Sequence, residues 1–251
     1  MCSVSWLIDQ NGYQIFFNRD EQKTRAQALP PRTQEMDGVK VLMPIDPVGQ
    51  GSWISVNEHG VALCLLNNYQ CDNPKAALFS RGLLLKHLSK EISVDGVCNA
   101  FQLLTLPQFA PFILLAFDLN LLDRKTRVMA LEWNGSESVI HPTDSPLFSS
   151  GVDLPQVTAT RKLAYQQIVG EKPTQSSLLM FHKQHHYEES HKSVCMHRED
   201  AETVSFTHII VTPQGQEMRY VAGSPCMNLT TEALLQGTHK LPNRKSVAIP
   251  A

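Results

Sequence analysis

Met1-Cys2-Ser3-Val4-Ser5-Trp6-Leu7-Ile8, then Asn11-Gly12, then Tyr13-Gln14-Ile15-Phe16-Phe17 and Asn18-Arg19-Asp20-Glu21 open the chain. Residues 2–8 and 13–17 have the β-branched and aromatic character of strands. Asn-Gly between two such runs is a strong hairpin signal, because both residues tolerate positive φ. A hairpin closed there runs its strands antiparallel and carries residue 2 back beside residues 18–20. Cys2 is therefore expected to face Asn18, Arg19 and Asp20.

Working outward, residues 22–51 hold Pro30, Pro31, Pro44 and Pro47 with Gly38, Gly49 and Gly51, which predicts a long irregular excursion. Ser52-Trp53-Ile54-Ser55-Val56, a turn at Asn57-Glu58-His59-Gly60 and Val61-Ala62-Leu63-Cys64-Leu65-Leu66 predict a second hairpin. The unbroken apolar return suggests a strand covered on both faces. Apolar spacing predicts helices over 79–90, 93–104, 157–169 and 175–183, and strands over 112–118, 127–133, 204–211 and 217–222. Hairpins interrupted by paired helices point to an α+β fold of two stacked antiparallel sheets with helices outside, a one-sheet α+β fold being the alternative. Residues 1–251 are expected to form a single domain, within the usual size of one core.

The 22 basic and 24 acidic residues nearly cancel and no Lys/Arg stripe with interleaved aromatics occurs, so nucleic acid is not an expected partner. No segment has the roughly 20 apolar residues of a membrane span, and no leader pattern opens the chain, so a cytoplasmic protein with small-molecule partners is expected. Cys2, Cys64, Cys71, Cys98, Cys195 and Cys226 are dispersed without a CxxC pair, so no disulfide is expected.

Cys2 stands next to the initiator Met and is small enough for that Met to be removed. One residue would then supply two catalytic groups. The thiol is a strong nucleophile once ionised, and an α-amine with a reference pKa of about 7.7–8.0 can take its proton. The bland reading of Cys2 is a small apolar residue in a first strand.

Met1-Cys2 followed by Asn18-Arg19-Asp20-Glu21 resembles the NRDE family, the transport-and-Golgi-organisation group. More widely the chain resembles cysteine N-terminal-nucleophile hydrolases such as choloylglycine hydrolase, penicillin V acylase and acyl-CoA:6-aminopenicillanic acid acyltransferase. That resemblance implies a four-layer αββα sandwich. The block from Gly51-Ser52-Trp53-Ile54 through Asn57-Glu58-His59-Gly60-Val61 to Asn67-Asn68-Tyr69 resembles the family's strand-turn-strand, and maps its oxyanion-hole Asn onto Asn68, with Asn67 as the alternative and a candidate substrate contact. Ser193 to Asp200, running into Thr203-Val204-Ser205, resembles the late segment of the acyltransferases. The chain departs from the pattern at Ile113, where the family strand often carries a second Asn, and at its late Arg, which falls on Val204 or near Arg198. The roles implied are Arg19 favouring the Cys2 thiolate, Asp20 orienting the α-ammonium, and Asn68 meeting the oxyanion.

His182, His185, His186, His191, Cys195 and His197 crowd one polar stretch. Without a paired carboxylate or CxxC they read as a solvated connection, so no metal and no cofactor is expected. Arg198-Glu199-Asp200 reads as a surface cluster, with Arg198 a candidate substrate-binding residue. Asn228-Leu229-Thr230 is a sequon that matters only in a secreted protein. The expected function is hydrolysis of a linear amide, or acyl transfer, on a small acylated amine, with Cys2, Arg19, Asp20 and Asn68 catalytic. The alternative is a non-catalytic carrier or chaperone of a hydrophobic ligand such as haem or lipid.

Overall fold

The computed structural model describes residues 2–69, 77–123 and 126–243. Strands β1 (Cys2–Asp9) and β2 (Gly12–Gln22) form the opening hairpin, in register from Asp9↔Gly12 to Cys2↔Arg19. The turn falls one residue earlier than Asn-Gly predicts: Gln10 and Asn11 make it, and Asn11 N–H donates to Asp9 Oδ1 at 2.7 Å. Gly12 instead begins β2, where a Cβ would lie 1.8 Å from the Val211 carbonyl oxygen of the neighbouring strand. Close strand approach, rather than turn chemistry, is what requires glycine there.

The expected irregular excursion is instead largely a hairpin of β3 (Leu29–Met36) and β4 (Val39–Ile45). Its turn is Asp37-Gly38, both at positive φ, the conformation of a tight two-residue connection. The prolines are tolerated for positional reasons. Pro30 and Pro31 lie on an edge strand where the register slips between Leu29 and Arg32, and Pro44 lies beyond the part of β4 that pairs with the next strand.

The chain continues through β5 (Ile54–Asn57), β6 (Ala62–Asn67), α1 (Arg81–Leu88), α2 (Val94–Gln102), β7 (Phe112–Phe117), β8 (Met129–Trp133), β9 (Ser138–Pro142) and β10 (Leu147–Ser149). Then come α3 (Leu154–Ile168), α4 (Gln175–Lys183), β11 (Ala201–Thr212), β12 (Gly215–Ala222), α5 (Pro225–Asn228), α6 (Thr231–Gln236) and β13 (Thr238–Pro242). The predicted helices and later strands are all present, with ends shifted by a few residues. β9, β10 and β13 are short or polar and carry no clear period.

Two antiparallel sheets result, ordered β10-β1-β2-β11-β12-β13 and β3-β4-β5-β6-β7-β8-β9. Their facing sides bury Val4, Trp6, Ile15 and Phe17 against Val56, Cys64, Leu66 and Phe117. Burying each large apolar side chain contributes about 1.5–3 kcal/mol. Trp6 meets Phe117 edge-on at 5.5 Å, Tyr13 stacks on Phe117 at 5.7 Å, and the Tyr13 hydroxyl donates to Gly60 O at 2.8 Å, tying the sheets together. On the outer face of the seven-stranded sheet, Leu84, Leu85, Val97 and Phe101 of α1 and α2 pack against Leu63, Leu65 and Leu114. Across the other sheet, Ala164, Leu178 and Phe181 of α3 and α4 cover Phe16, Phe148 and Phe206. The layers run α, β, β, α, as the resemblance implies, and β6 is covered on both faces.

Candidate active site

Strand alternation sorts the opening hairpin into two faces. Cys2, Val4 and Trp6 with Ile15 and Phe17 face the inter-sheet core. Ser3, Ser5, Asn18 and Asp20 take the other parity, and their partners lie in or beside the helical layer. Cys2 is held on both sides, paired with Arg19 on β2 and Ser149 on β10.

Arg19 reaches across to the opposite sheet, its guanidinium 4.2 Å from the centre of the Trp53 ring, and Nη2 donates to Glu21 Oε2 at 3.0 Å. Asp20 faces the other way. Its Oδ1 accepts from Thr203 Oγ1 at 2.6 Å, and Oδ2 lies 3.6 Å from Nη2 of Arg161. Arg161 is wholly buried on α3 and also donates from Nη1 to Ser3 Oγ at 2.7 Å.

Asn18 is a structural member of the motif. Its Nδ2 donates to the carbonyl oxygens of His182 and Val194, both at 3.0 Å, which leaves Oδ1 as an acceptor 3.0 Å from His182 Nδ1. The His182 proton must then sit on Nδ1, and Nε2, 2.8 Å away from Ser5 Oγ, accepts that hydroxyl. This neutral imidazole is fully buried, and burial with the nearby His208 and Arg161 charges lowers its pKa to about 3. His182 is thus a core residue of the hairpin's outer face, where the sequence suggested solvated polar surface.

Burial pushes the Cys2 thiol pKa up, and the Asp20 charge adds to that rise. A hydrogen bond from the Asp20 backbone N–H and the Arg19 charge pull it down without cancelling the rise. Arg19 thus acts in the expected direction but burial outweighs it. The site holds a thiol whose activation calls for a base.

Cys2, Arg19, Asp20, Asp46, Asn67 and Arg81 line one cavity of about 200 Å³ at the ends of the sheets. Asn67 Nδ2 donates to the Tyr69 hydroxyl at 2.7 Å. Asn68 follows the end of β6, is buried, and anchors its backbone N–H on Pro111 O at 3.1 Å, without lining that cavity. Arg198 lies apart, in an adjoining cavity with Asp20, Glu21 and Tyr69, and forks onto Asp200. Val204 lines a third cavity beside Arg19 and Tyr220. Ile113 pairs with Leu66 in the β6–β7 ladder.

The Transport and Golgi organisation 2 family model matches residues 1–222. The chain belongs to the Transport and Golgi organisation 2 family. Its fold is similar to that of penicillin V acylase from Agrobacterium tumefaciens, with 12% identity and a TM-score of 0.54 over 88% of this chain and 83% of that one. The Caenorhabditis elegans ortholog of N-acylethanolamine-hydrolyzing acid amidase gives 12% identity and 0.54 over 96% and 100%. Conjugated bile acid hydrolase from Clostridium perfringens gives 12% and 0.51 over 100% and 99%. At that identity the likeness establishes the fold, which is the N-terminal-nucleophile hydrolase sandwich. No curated protein matches the chain by sequence.

Several residues around this family motif were not singled out in the sequence. Arg161 shares the buried stripe of α3 with Val157 and Ala164, at i, i+4 and i+7, and a charge on an apolar stripe is the signal that could have found it. Thr203 and Trp53 lay inside matched blocks but gained no role. Arg81 begins α1 just past Ser80, whose side chain accepts from Gly82 N–H. Cys71 lies outside the described residues; the other five cysteines are free thiols.

Proposed function

We propose that this chain is a cysteine amidohydrolase that cleaves the C–N bond of a small acylated amine through a thioester on Cys2, with acyl transfer to a second amine as a variant. The observation that carries the reading is the convergence of Cys2, Arg19 and Asp20 on one cavity at the sheet ends. Removal of Met1 frees the Cys2 α-amine. That amine takes the thiol proton, and the sulfur attacks the amide carbon. Asn68, just behind the cavity wall, or Asn67, which lines the cavity beside Cys2, donates to the oxyanion, and Arg19 balances the charge passing through the sulfur. Collapse breaks the C–N bond, and the α-ammonium gives its proton to the departing amine. Water, deprotonated by the same amine, then attacks the thioester and releases a carboxylic acid and the Cys2 thiol. Asp20, fixed by Thr203 and Arg161, supports the α-ammonium that forms twice in this cycle.

The cavity also suggests the kind of amide. Arg81 lines it half-buried, its Nη1 donating to Pro111 O at 2.9 Å, and it forms no carboxylate ion pair among the described residues. Burial lowers its pKa, so an anion placed beside it would be favoured. A substrate with a carboxylate near the scissile amide, such as an N-acyl amino acid, fits this lining. A volume of about 200 Å³ with so many charged groups does not favour lipid or haem.

Protein whose intact mass verifies Cys2 as first residue, incubated with a panel of N-acyl amino acids and neutral N-acyl amines, is expected to release amine in a burst and gain one acyl mass on Cys2. Cys2→Ala and protein retaining Met1 are expected to do neither. Absence of any adduct or turnover on verified protein, with Cys2→Ala binding the same compounds equally well, would overturn the reading.

A further inference from the structure

Away from Cys2, the segment between α4 and β11 brings Cys195 and His197 against Cys226 at α5, 31 residues beyond Cys195. We propose that Cys195, His197 and Cys226 bind one Zn²⁺ ion. The three ligand atoms lie within 4.8 Å of one another. His197 Nε2 is 3.7 Å from Cys195 Sγ and 3.3 Å from Cys226 Sγ. Bonds of roughly 2.3 Å to sulfur and 2.0 Å to nitrogen at a tetrahedral angle separate S and N by about 3.5 Å, so these gaps are the edges of a zinc tetrahedron. One imidazole nitrogen placed between two thiols suits an ion better than it suits a disulfide, which has no use for the nitrogen.

The surroundings support the same ion. Cys226 N–H points at Cys195 Sγ at 3.4 Å, a donor for the sulfur of a bound thiolate, although burial raises the pKa of the unbound Cys195 thiol. Behind the imidazole, Glu202 Oε2 lies 3.7 Å from His197 Nδ1, longer than a hydrogen bond but on the side from which a carboxylate can orient a ligating ring. Cys195 is buried while His197 and Cys226 border a cavity of about 480 Å³ shared with His185 and Tyr187. That cavity gives the ion its entry and leaves a fourth position for water. Binding breaks two S–H bonds, forms two S–Zn bonds and one N–Zn bond, and releases two protons to solvent.

The site has a structural consequence. Met196, between two ligands, donates its N–H to Thr203 Oγ1 at 2.8 Å, and Thr203 donates to Asp20 at 2.6 Å. An ion at Cys195 and His197 would therefore brace the segment that positions Asp20.

The test uses untagged protein, stripped with chelator and kept reduced. Native mass spectrometry is expected to find one zinc per chain with the loss of two protons, and zinc is expected to raise Tm. Co²⁺ in its place should give a thiolate charge-transfer band. Cys195→Ser, Cys226→Ser and His197→Gln should each weaken zinc by at least the roughly 10- to 100-fold that losing a supporting second shell costs, while Cys98→Ser changes nothing. If those variants fail to fold, Glu202→Gln replaces no ligand and should still weaken binding by that factor. Zinc that fails to bind wild type at micromolar concentration, or that binds the variants as tightly as wild type, overturns the proposal.

Discussion

The Asp20 carboxylate and the Arg161 guanidinium lie 3.6 Å apart, with both side chains wholly buried. Removing one partner of such a pair strands the other charge in a low-dielectric interior, at about 3–5 kcal/mol. Arg161→Leu is expected to lose that much stability in urea denaturation. Arg161→Lys is expected to keep part of it, because a point charge cannot reach both Asp20 and the Ser3 hydroxyl as the fork does. A loss for Arg161→Leu no larger than the roughly 0.5 kcal/mol of a surface change would show that the pair carries little.

His182 and His208 make the fold acid-sensitive. Burial lowers the pKa of each to about 3, so neither takes a proton in the folded state until well below the unfolded value near 6.5. Between those values the unfolded chain holds more protons, so stability is full above about pH 6.5 and falls as pH drops towards 3. Each histidine contributes a slope of at most about 1.4 kcal/mol per pH unit. His208→Gln should flatten Tm against pH between 6.5 and 5. An unchanged slope would mean that other groups govern it.

How far the sequence revealed the site follows from the range of each signal. Cys2 opposite Arg19 was legible because hairpin register is local, even though the turn itself lies at Gln10-Asn11. The β3–β4 hairpin was not, because prolines that fall on the edge strand β3 or beyond the part of β4 that pairs with β5, where a missing N–H does no harm, concealed its Asp37-Gly38 turn. Cys195 and Cys226 meet only through the packing of the 193–203 segment on α5, and Asp20 meets Arg161 only through α3. Such long-range pairs leave no periodicity in the sequence.

Gly51 fixes the lip of the cavity. A Cβ there would lie 2.2 Å from the Gly82 carbonyl carbon, and Ser52 N–H donates to Gly82 O at 3.1 Å. Gly51→Ala must push the start of α1 outward and carry Arg81 with it. The expected result is a raised KM for carboxylate-bearing amides, with little change for neutral ones, measured on protein whose circular dichroism matches wild type. Equal KM increases for both classes would remove Arg81 from substrate recognition.

Asn67 and Asn68 can be told apart by the split between kcat and KM. Residues 62, 64 and 66 of β6 face the inter-sheet core that contains Cys2 and residues 63 and 65 face the helices, so alternation carries Asn68 towards the nucleophile's side. Asn67 lines the open cavity and bonds Tyr69. An oxyanion donor acts only as the tetrahedral centre forms, so Asn68→Ala is expected to lower single-turnover kcat by about 10²- to 10³-fold with KM nearly unchanged. A substrate contact acts before chemistry, so Asn67→Ala is expected to raise KM several-fold and leave kcat within a small factor. The reverse pattern would assign the oxyanion to Asn67. Full activity in both single variants and in the double variant would leave the mechanism without a side-chain electrophile and would sink the amide-donor step.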